Sequence, residues 1–595
     1  MKLRLSPSLA LFVLTGALLP AGAARAADGP AYHLSLSDPS HPGYQLPYDV
    51  DTGALRKLSD SPDAGEPPYS IPDSNVPAAQ RLFDVFAWQS FLALNWPATS
   101  DGAPDPTKTI ADATAPRVWE SYVDVALVYK ENGAAPDPWQ KASLQSESGH
   151  TFWMEGMGIG RPPEDPALGS IRTPVLDESL QAFTGPLIDQ SGKWVRYEAA
   201  MNDVEFDYVV ENKLYNLEGQ EAYTSRHAIA FPVGDQEEHR RGAMEIKMSW
   251  KELNPARDDP ARFFVRQAKV VHLDGSVSTG TFGLVGMHVA VRAKSSPTWI
   301  WATFEQVDNT AVNDLDHDSQ GRPLRPNFYN PDNPSKPVNV LAPKNAAPVN
   351  RYNPATGKDD GPAAYTSWDE SQTTDPTQAT MVTPIPKATE ALNQEVQTQL
   401  AQLGSVFRYY ELIGTQWPAQ PSFPGFSNGV GTQADGRLLP SSPESILFKV
   451  PGKIVPLFLV NTTMETFFQN GNQPAGPVAD DYRLPPGLLA DPSTIFATES
   501  CAGCHFSAGA CIGFKHDPSG RLVLNPVTSP DGKTTVYYRV PIFGQNADRG
   551  ATGDADYSWL FQLRSQSAPV QYDPSKDTLL TQAVIAAVQK ICPAQ

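Results

Sequence analysis

Near its C-terminal end the chain carries Cys501-Ala502-Gly503-Cys504-His505, and no other stretch restricts its local fold as tightly. Residues i and i+3 share one side of a helical turn, so the spacing predicts a short helix with both sulfurs facing the same way. Two thiols so placed reach the two vinyl groups of a single porphyrin, and the histidine that follows projects toward its iron as the proximal ligand. Other uses of two cysteines fit less well. A zinc site wants further ligands at comparable spacing, and the chain has no second C-x-x-C. A thioredoxin-type pair needs a βαβ context, which ATESCAGCHFSAG does not offer. The expectation is one covalent haem c, held through Cys501 and Cys504, with His505 on the iron.

On this motif the chain resembles the c-type cytochromes. The resemblance covers at most residues 455–595 and implies haem c, electron transfer and a compact helical haem domain. One departure stands out: no methionine follows His505. The sixth iron position is therefore open between Met464 in LVNTTMETFFQN, His516 in CIGFKHDPSG, another residue, and none. Asn461 to Glu465 has the look of a helix start, and Met464 beside Phe467 and Phe468 suits core packing equally well. The phrases GAMEIKMSWKEL, MHVAVRAKSSPTWIWATFEQVDN and LVNTTMETFF also resemble large exported bacterial proteins that end in a cytochrome c-like segment. That second resemblance spans residues 225–520 and implies that the upstream unit and the haem form a set.

The N-terminus agrees with export. Lys2 and Arg4 precede an apolar run from Leu9 to Leu19, and Ala24-Arg25-Ala26 supplies the small residues that signal peptidase accepts. Residues 1–26 read as a signal peptide cleaved after Ala26, which places the protein in the periplasm. No other stretch approaches eighteen unbroken apolar residues, so no transmembrane segment is expected in the mature chain. In an oxidising compartment the remaining cysteines, Cys511 and Cys592, read as a disulfide or, alternatively, as two free thiols.

A chain of 595 residues is too long for one small core, and its periodicities change along its length. Residues 27–224 form a helical and loop-rich region. In it Leu82, Phe83, Phe86, Phe91 and Leu94 recur at helical spacing, and residues 117–131 give a second helical pattern. Residues 225–310 read as β-structure. Residues 311–386, with twelve prolines, read as a linker; its Asp314, Asp316 and Asp318 lack the glycine and glutamate that an EF-hand loop would add. Residues 387–454 form a helical connector whose apolar stripe, Leu392 to Phe407, runs up to Gly414. Residues 455–595 complete the chain as the haem unit. The fold class is α+β with several units: aromatic N-terminal helices, a central mainly antiparallel sheet or sandwich, and a helical haem domain.

Within the β-unit, Met244, Ile246, Met248 and Trp250 fall on one face, with Glu245, Lys247 and Ser249 on the other. Val285, Met287, Val289 and Val291 likewise oppose His288 and Arg292, and Trp299, Trp301, Thr303 and Glu305 share a side. Read alone, such a polar face is a solvated one. If the strands are neighbours, Glu245, Lys247, His288 and Glu305 converge on it, a set suited to proton transfer or a metal.

The formal charge of −20 makes nucleic acid an unsuitable partner and favours a basic redox protein of the periplasm. The leading functional expectation is electron transfer by a mono-haem c-type cytochrome. Its alternatives are a haem-dependent oxidoreductase whose β-unit binds substrate, and a haem-based sensor of small ligands.

Overall fold

The computed structural model describes residues 34, 36, 43–61, 65–130, 133–147, 152–155, 185–271, 277–310, 317–343, 345, 352–353, 358–359, 368, 370–381, 383–421, 453–456, 458–469, 500–505, 508–528, 535–544 and 555–567. Residues 1–26, Asp314, Asp316, Cys592 and the final apolar run that carries Cys592 lie outside these, and so do the expectations attached to them. Among the described residues no helix is long and apolar enough to cross a membrane.

The α+β expectation holds at its coarse level: helices flank a large, mainly antiparallel sheet. Its strands are β1 (Val123–Asp124), β2 (Phe152–Glu155), β3 (Arg196–Met201), β4 (Met244–Glu252), β5 (Val265–Val271), β6 (Val277–Ala293) and β7 (Ser296–Gln306). A small pair, β8 (Tyr352–Asn353) and β9 (Lys358–Asp359), stands apart, after which β10 (Tyr410–Gln420) and β11 (Lys453–Val455) complete the sheet. The order is β1-β3-β2-β5-β6-β7-β10-β11, with β4 hydrogen-bonded to both β3 and β6. Among the described strand pairs, only β2 and β5 run parallel.

The period-2 patterns give this sheet two unlike faces. Ile246, Met248, Met287, Val289, Ile300, Ala302 and Phe304 lie on the apolar face and are buried. Two amphipathic helices cover it: α1 (Val76–Leu94) and, after α2 (Asp203–Glu211), α3 (Lys387–Gln402). Phe91 stacks on Phe304 with centroids 4.3 Å apart, and Phe83 stacks on Trp417 at the same distance. Trp88 Nε1 donates to Asn393 Oδ1 at 2.9 Å, which binds the two helices across this layer.

Several expectations are corrected. The helical pattern over 117–131 becomes a 3-10 turn at Val118–Ser121, strand β1 and a four-residue helix at Val125–Val128. Pairing of Val123 and Asp124 with Met201 and Ala200 outweighs local propensity, and Asp124 caps the short helix by accepting from Ala126 N. Helix α3 ends at Gln402 rather than near Gly414. Gly404, at φ 72°, supplies the left-handed residue that stops it, and YYELIGTQWP continues as β10. Val285 leaves the Met287 side, because a register shift at this level of β4 and β6 inserts an extra residue and turns its side chain toward Tyr197 and Met464.

The 311–386 connection, where described, lies on the sheet, with Phe328 and Ala379 buried beside Tyr197 and Val285. Asp318 there accepts from Gln320 N and Arg322 N and pairs with the Arg322 guanidinium, a closed acidic turn. Beyond the motif helix α4 (Cys501–His505), a helical haem domain is not seen among the described residues. They form antiparallel pairs of β12 (Cys511–Phe514) with β15 (Pro541–Phe543), and of β13 (Leu524–Thr528) with β14 (Thr535–Arg539). TVYYR is rich in β-branched and aromatic residues, which favours strand.

Candidate functional site

The second face of the sheet is polar, yet it is not left to water. Cross-strand register places Lys247 opposite His288, His288 opposite Thr303, and Gly286 opposite Glu305. With Glu245 two residues before Lys247, all four sequence-predicted polar residues share this face. It is covered by the turn Asn461–Glu465 and, beside it, by helix α4. This overturns the expectation of a solvated face: its polar groups bond to another part of the chain. Ser249 Oγ meets Thr463 Oγ1 at 2.6 Å, Tyr197 OH donates to the Thr463 carbonyl, and Asn461 Nδ2 donates to Thr303 Oγ1.

The four do not act as one cluster. Glu305 is buried and accepts from Thr462 N at 2.6 Å; burial pushes its pKa up to about 7. Glu245 instead adjoins Glu205 of α2, whose burial raises its pKa, reinforced by the neighbouring Glu245 carboxyl. His288 Nε2 lies 2.9 Å from Glu465 Oε1, while Glu465 Oε2 accepts from Asn461 N. Burial works against the Glu465 carboxylate, but His288, Asn461 N and Lys247 together hold its pKa below the usual range. Among the described residues no group of three or more His, Cys, Asp or Glu side chains could hold a metal ion.

Helix α4 is seated by its inner residues. Ala502 and Gly503 are buried against the sheet, whereas Cys501, Cys504 and His505 are half-buried. Ala502 N donates to Gln416 Oε1 of β10 at 2.8 Å, and the same amide group donates through Nε2 to Pro456 O and Ser500 Oγ. Trp559 Nε1 donates to the Cys504 carbonyl at the far end. Cys501 and Cys504 are not bridged to each other.

His505 is the most closely specified group in the site. Its ring centroid is 4.4 Å from that of Trp301 on β7, and its Nδ1 is 2.9 Å from the Tyr557 carbonyl oxygen. A carbonyl only accepts, so Nδ1 carries the proton and Nε2 keeps a free lone pair. Burial pushes the pKa of His505 down to about 4, which keeps the ring neutral. A neutral imidazole of fixed tautomer and two thiols leaving one side of a turn are the donors that covalent attachment of a haem calls for. The residues present fit that group.

Two residues that the sequence offers for the sixth position have these surroundings. Met464 is buried among Tyr197, Val285 and Phe328. His516 is exposed, and its Nδ1 donates to the Phe514 carbonyl. Cys511 is buried, with its N–H on Gln220 Oε1. Sequence reasoning missed Gln416, Tyr557 and Asp556. Tyr557 acts through its backbone, and side-chain identity carries no signal for that. Asp556 and Tyr557 both sit at positive φ, 46° and 73°. Asp tolerates that conformation and tyrosine does not, so the loop stores strain where it meets His505.

No family model, curated protein or solved structure matches the chain.

Proposed function

We propose that this chain is a mono-haem c-type cytochrome of the bacterial periplasm that passes single electrons between redox proteins. Cys501 and Cys504 would hold the haem through thioethers, and His505 would bind its iron through Nε2. When bound, the haem supplies a one-electron change at iron. The chain's own groups set the stage for it. Tyr557 orients the imidazole, Trp301 supports its ring, and Gln416 with Trp559 fixes the two ends of the helix that carries all three donors.

The observation that carries this reading is the Nδ1–H···O=C bond from His505 to Tyr557. It leaves the histidine of a C-x-x-C-H sequence in the one tautomer that can ligate iron through Nε2. The apparent signal peptide agrees with a periplasmic setting, and the acidic composition suits a basic partner.

A second reading, a haem-dependent oxidoreductase, has one observation in its favour. Lys247, His288 and Glu465 form a half-buried polar group close enough to His505 to influence its charge. Such a group is equipped to move protons.

The deciding experiment is a visible spectrum of protein matured in a bacterial periplasm, reduced, before and after carbon monoxide. Covalent haem with a low-spin spectrum that carbon monoxide leaves unchanged is expected. A high-spin spectrum that shifts at once would displace electron transfer in favour of the second reading. Absence of covalent haem would end both.

A further inference from the structure

His505 is the first member of a file of aromatic rings that runs from the motif to the surface. Its ring contacts Trp301 at 4.4 Å, and Trp301 stacks at 6.2 Å on Trp299. Trp299 meets Phe231 edge-on at 5.6 Å, and Phe231 lies 5.1 Å from Tyr208 on α2. Tyr208 and Tyr223 are 6.5 Å apart by centroid, with their hydroxyl oxygens at 3.1 Å. The exposed His227 then lies 5.1 Å from Tyr223. Trp301, Trp299 and Phe231 are buried, and the two phenols are half-buried.

Aromatic rings fill cores for reasons of packing alone. Two features set this file apart. Trp299 holds φ at 62°, a conformation that costs a bulky residue energy and that core filling does not require. The loop that orients His505 also positions the file. Asp556, next to Tyr557, accepts from Phe231 N at 2.8 Å and from Arg292 Nε at 3.1 Å, and it lies close enough to the Trp299 indole to feel it electrostatically. Strained backbone at Trp299, Asp556 and Tyr557 thus converges on the line from His505 to Phe231.

Resting on the electron-transfer reading above, we propose that this file is the route by which single electrons pass between the haem at His505 and a redox protein at the Tyr208–Tyr223 end. One electron leaves the partner, which is oxidised by one unit, and the iron is reduced by one. No bond forms or breaks and no proton is transferred. Contiguous π-systems couple the two ends where a gap between side chains would interrupt tunnelling.

The test is photoinduced electron transfer in the full mature chain. Of its ten histidines, only His288, His505 and one labelled residue are kept, the others being replaced by Gln. A ruthenium photosensitiser is coordinated at His227, or for comparison at His516, which has no ring contact with the file. Haem attachment is first read from the pyridine haemochrome spectrum, so loss of the parent reading is seen separately. Trp299→Leu is expected to slow transfer from His227 several-fold, with an unchanged haem spectrum and an unchanged rate from His516. Tyr208→Leu, on a different element and half-buried, is expected to do the same, and it decides the matter if Trp299→Leu does not retain haem. An unchanged rate from His227, or equal slowing from both labels, would overturn the route.

Discussion

His288 on β6 meets Glu465 at 2.9 Å although 177 residues separate them. This contact ties the polar face of the sheet to the turn that precedes the C-x-x-C-H helix. Glu465 binds at both oxygens, to the imidazole and to Asn461 N. Replacing it with Ala removes both acceptors in half-buried surroundings and should cost about 1–3 kcal/mol. Glu465→Gln keeps an accepting oxygen and should cost less. Thermal unfolding followed by near-UV circular dichroism checks this; equal midpoints for Glu465→Ala and the native chain would show that the contact contributes nothing.

The same turn approaches the sheet closely at Gly286. A Cβ there would come within 2.3 Å of Thr463 Oγ1 and 2.6 Å of Ser249 Oγ. Gly286→Ala should therefore push the turn outward and cost about 1–3 kcal/mol, as overpacking does. Gly65→Ala, where nothing lies within 4 Å, is the matched control and should leave stability almost unchanged. Denaturant midpoints for the two variants separate a steric effect from a general glycine effect.

The two-faced strand at 244–252 and the motif helix were legible in the sequence, because period-2 alternation and C-x-x-C-H spacing are local. What covers the polar face was not. Alternation of Glu245, Lys247 and Ser249 with apolar residues says that one face is polar, but water and a polar turn satisfy such groups alike. The covering turn lies about two hundred residues downstream, and only register brings Thr463 onto Ser249. The bulge that diverts Val285 depends on pairing between strands, as does the conversion of residues 123–124 to strand. The tautomer of His505 rests on a backbone carbonyl in a strained loop, and backbone atoms leave no trace in residue identity.

Stability should fall as pH rises from acid to mildly alkaline. Glu198 is buried with Trp250 Nε1 on its Oε1, and burial, with the Asp124 charge next, raises its pKa from 4.5 to about 8. In that interval the unfolded chain has lost this proton and the folded chain retains it, so the slope of stability with pH is negative. The contribution is fully present below the unfolded pKa and is lost as pH rises through the folded one. Each such group costs about 1.4 kcal/mol per pH unit across the window. Glu198→Gln keeps an acceptor for Trp250 and should flatten the decline between about pH 5 and about pH 8. Urea midpoints at both values, native against variant, measure it; parallel declines would mean that Glu198 is ionised in the fold throughout.

Gln416 offers the sharpest separation between a residue that seats the motif and one that merely fills space. It is buried on β10, where its oxygen accepts from Ala502 N while its nitrogen donates to Pro456 O and Ser500 Oγ. Its two ends need opposite hydrogen-bonding character, which an amide alone among side chains of this size provides. Gln416→Glu preserves the acceptor but turns a carboxylate oxygen toward the Pro456 carbonyl, and Gln416→Met preserves the length but neither bond. Both should destabilise the chain by about 1–3 kcal/mol, since each leaves buried polar atoms unmet. Because Ala502 lies between Cys501 and Cys504, both should also lower the fraction of chains that acquire covalent haem, scored by haem-stained gels against total protein. Full attachment in Gln416→Met would mean that burial of Ala502 and Gly503, without the amide, is enough to present the two thiols.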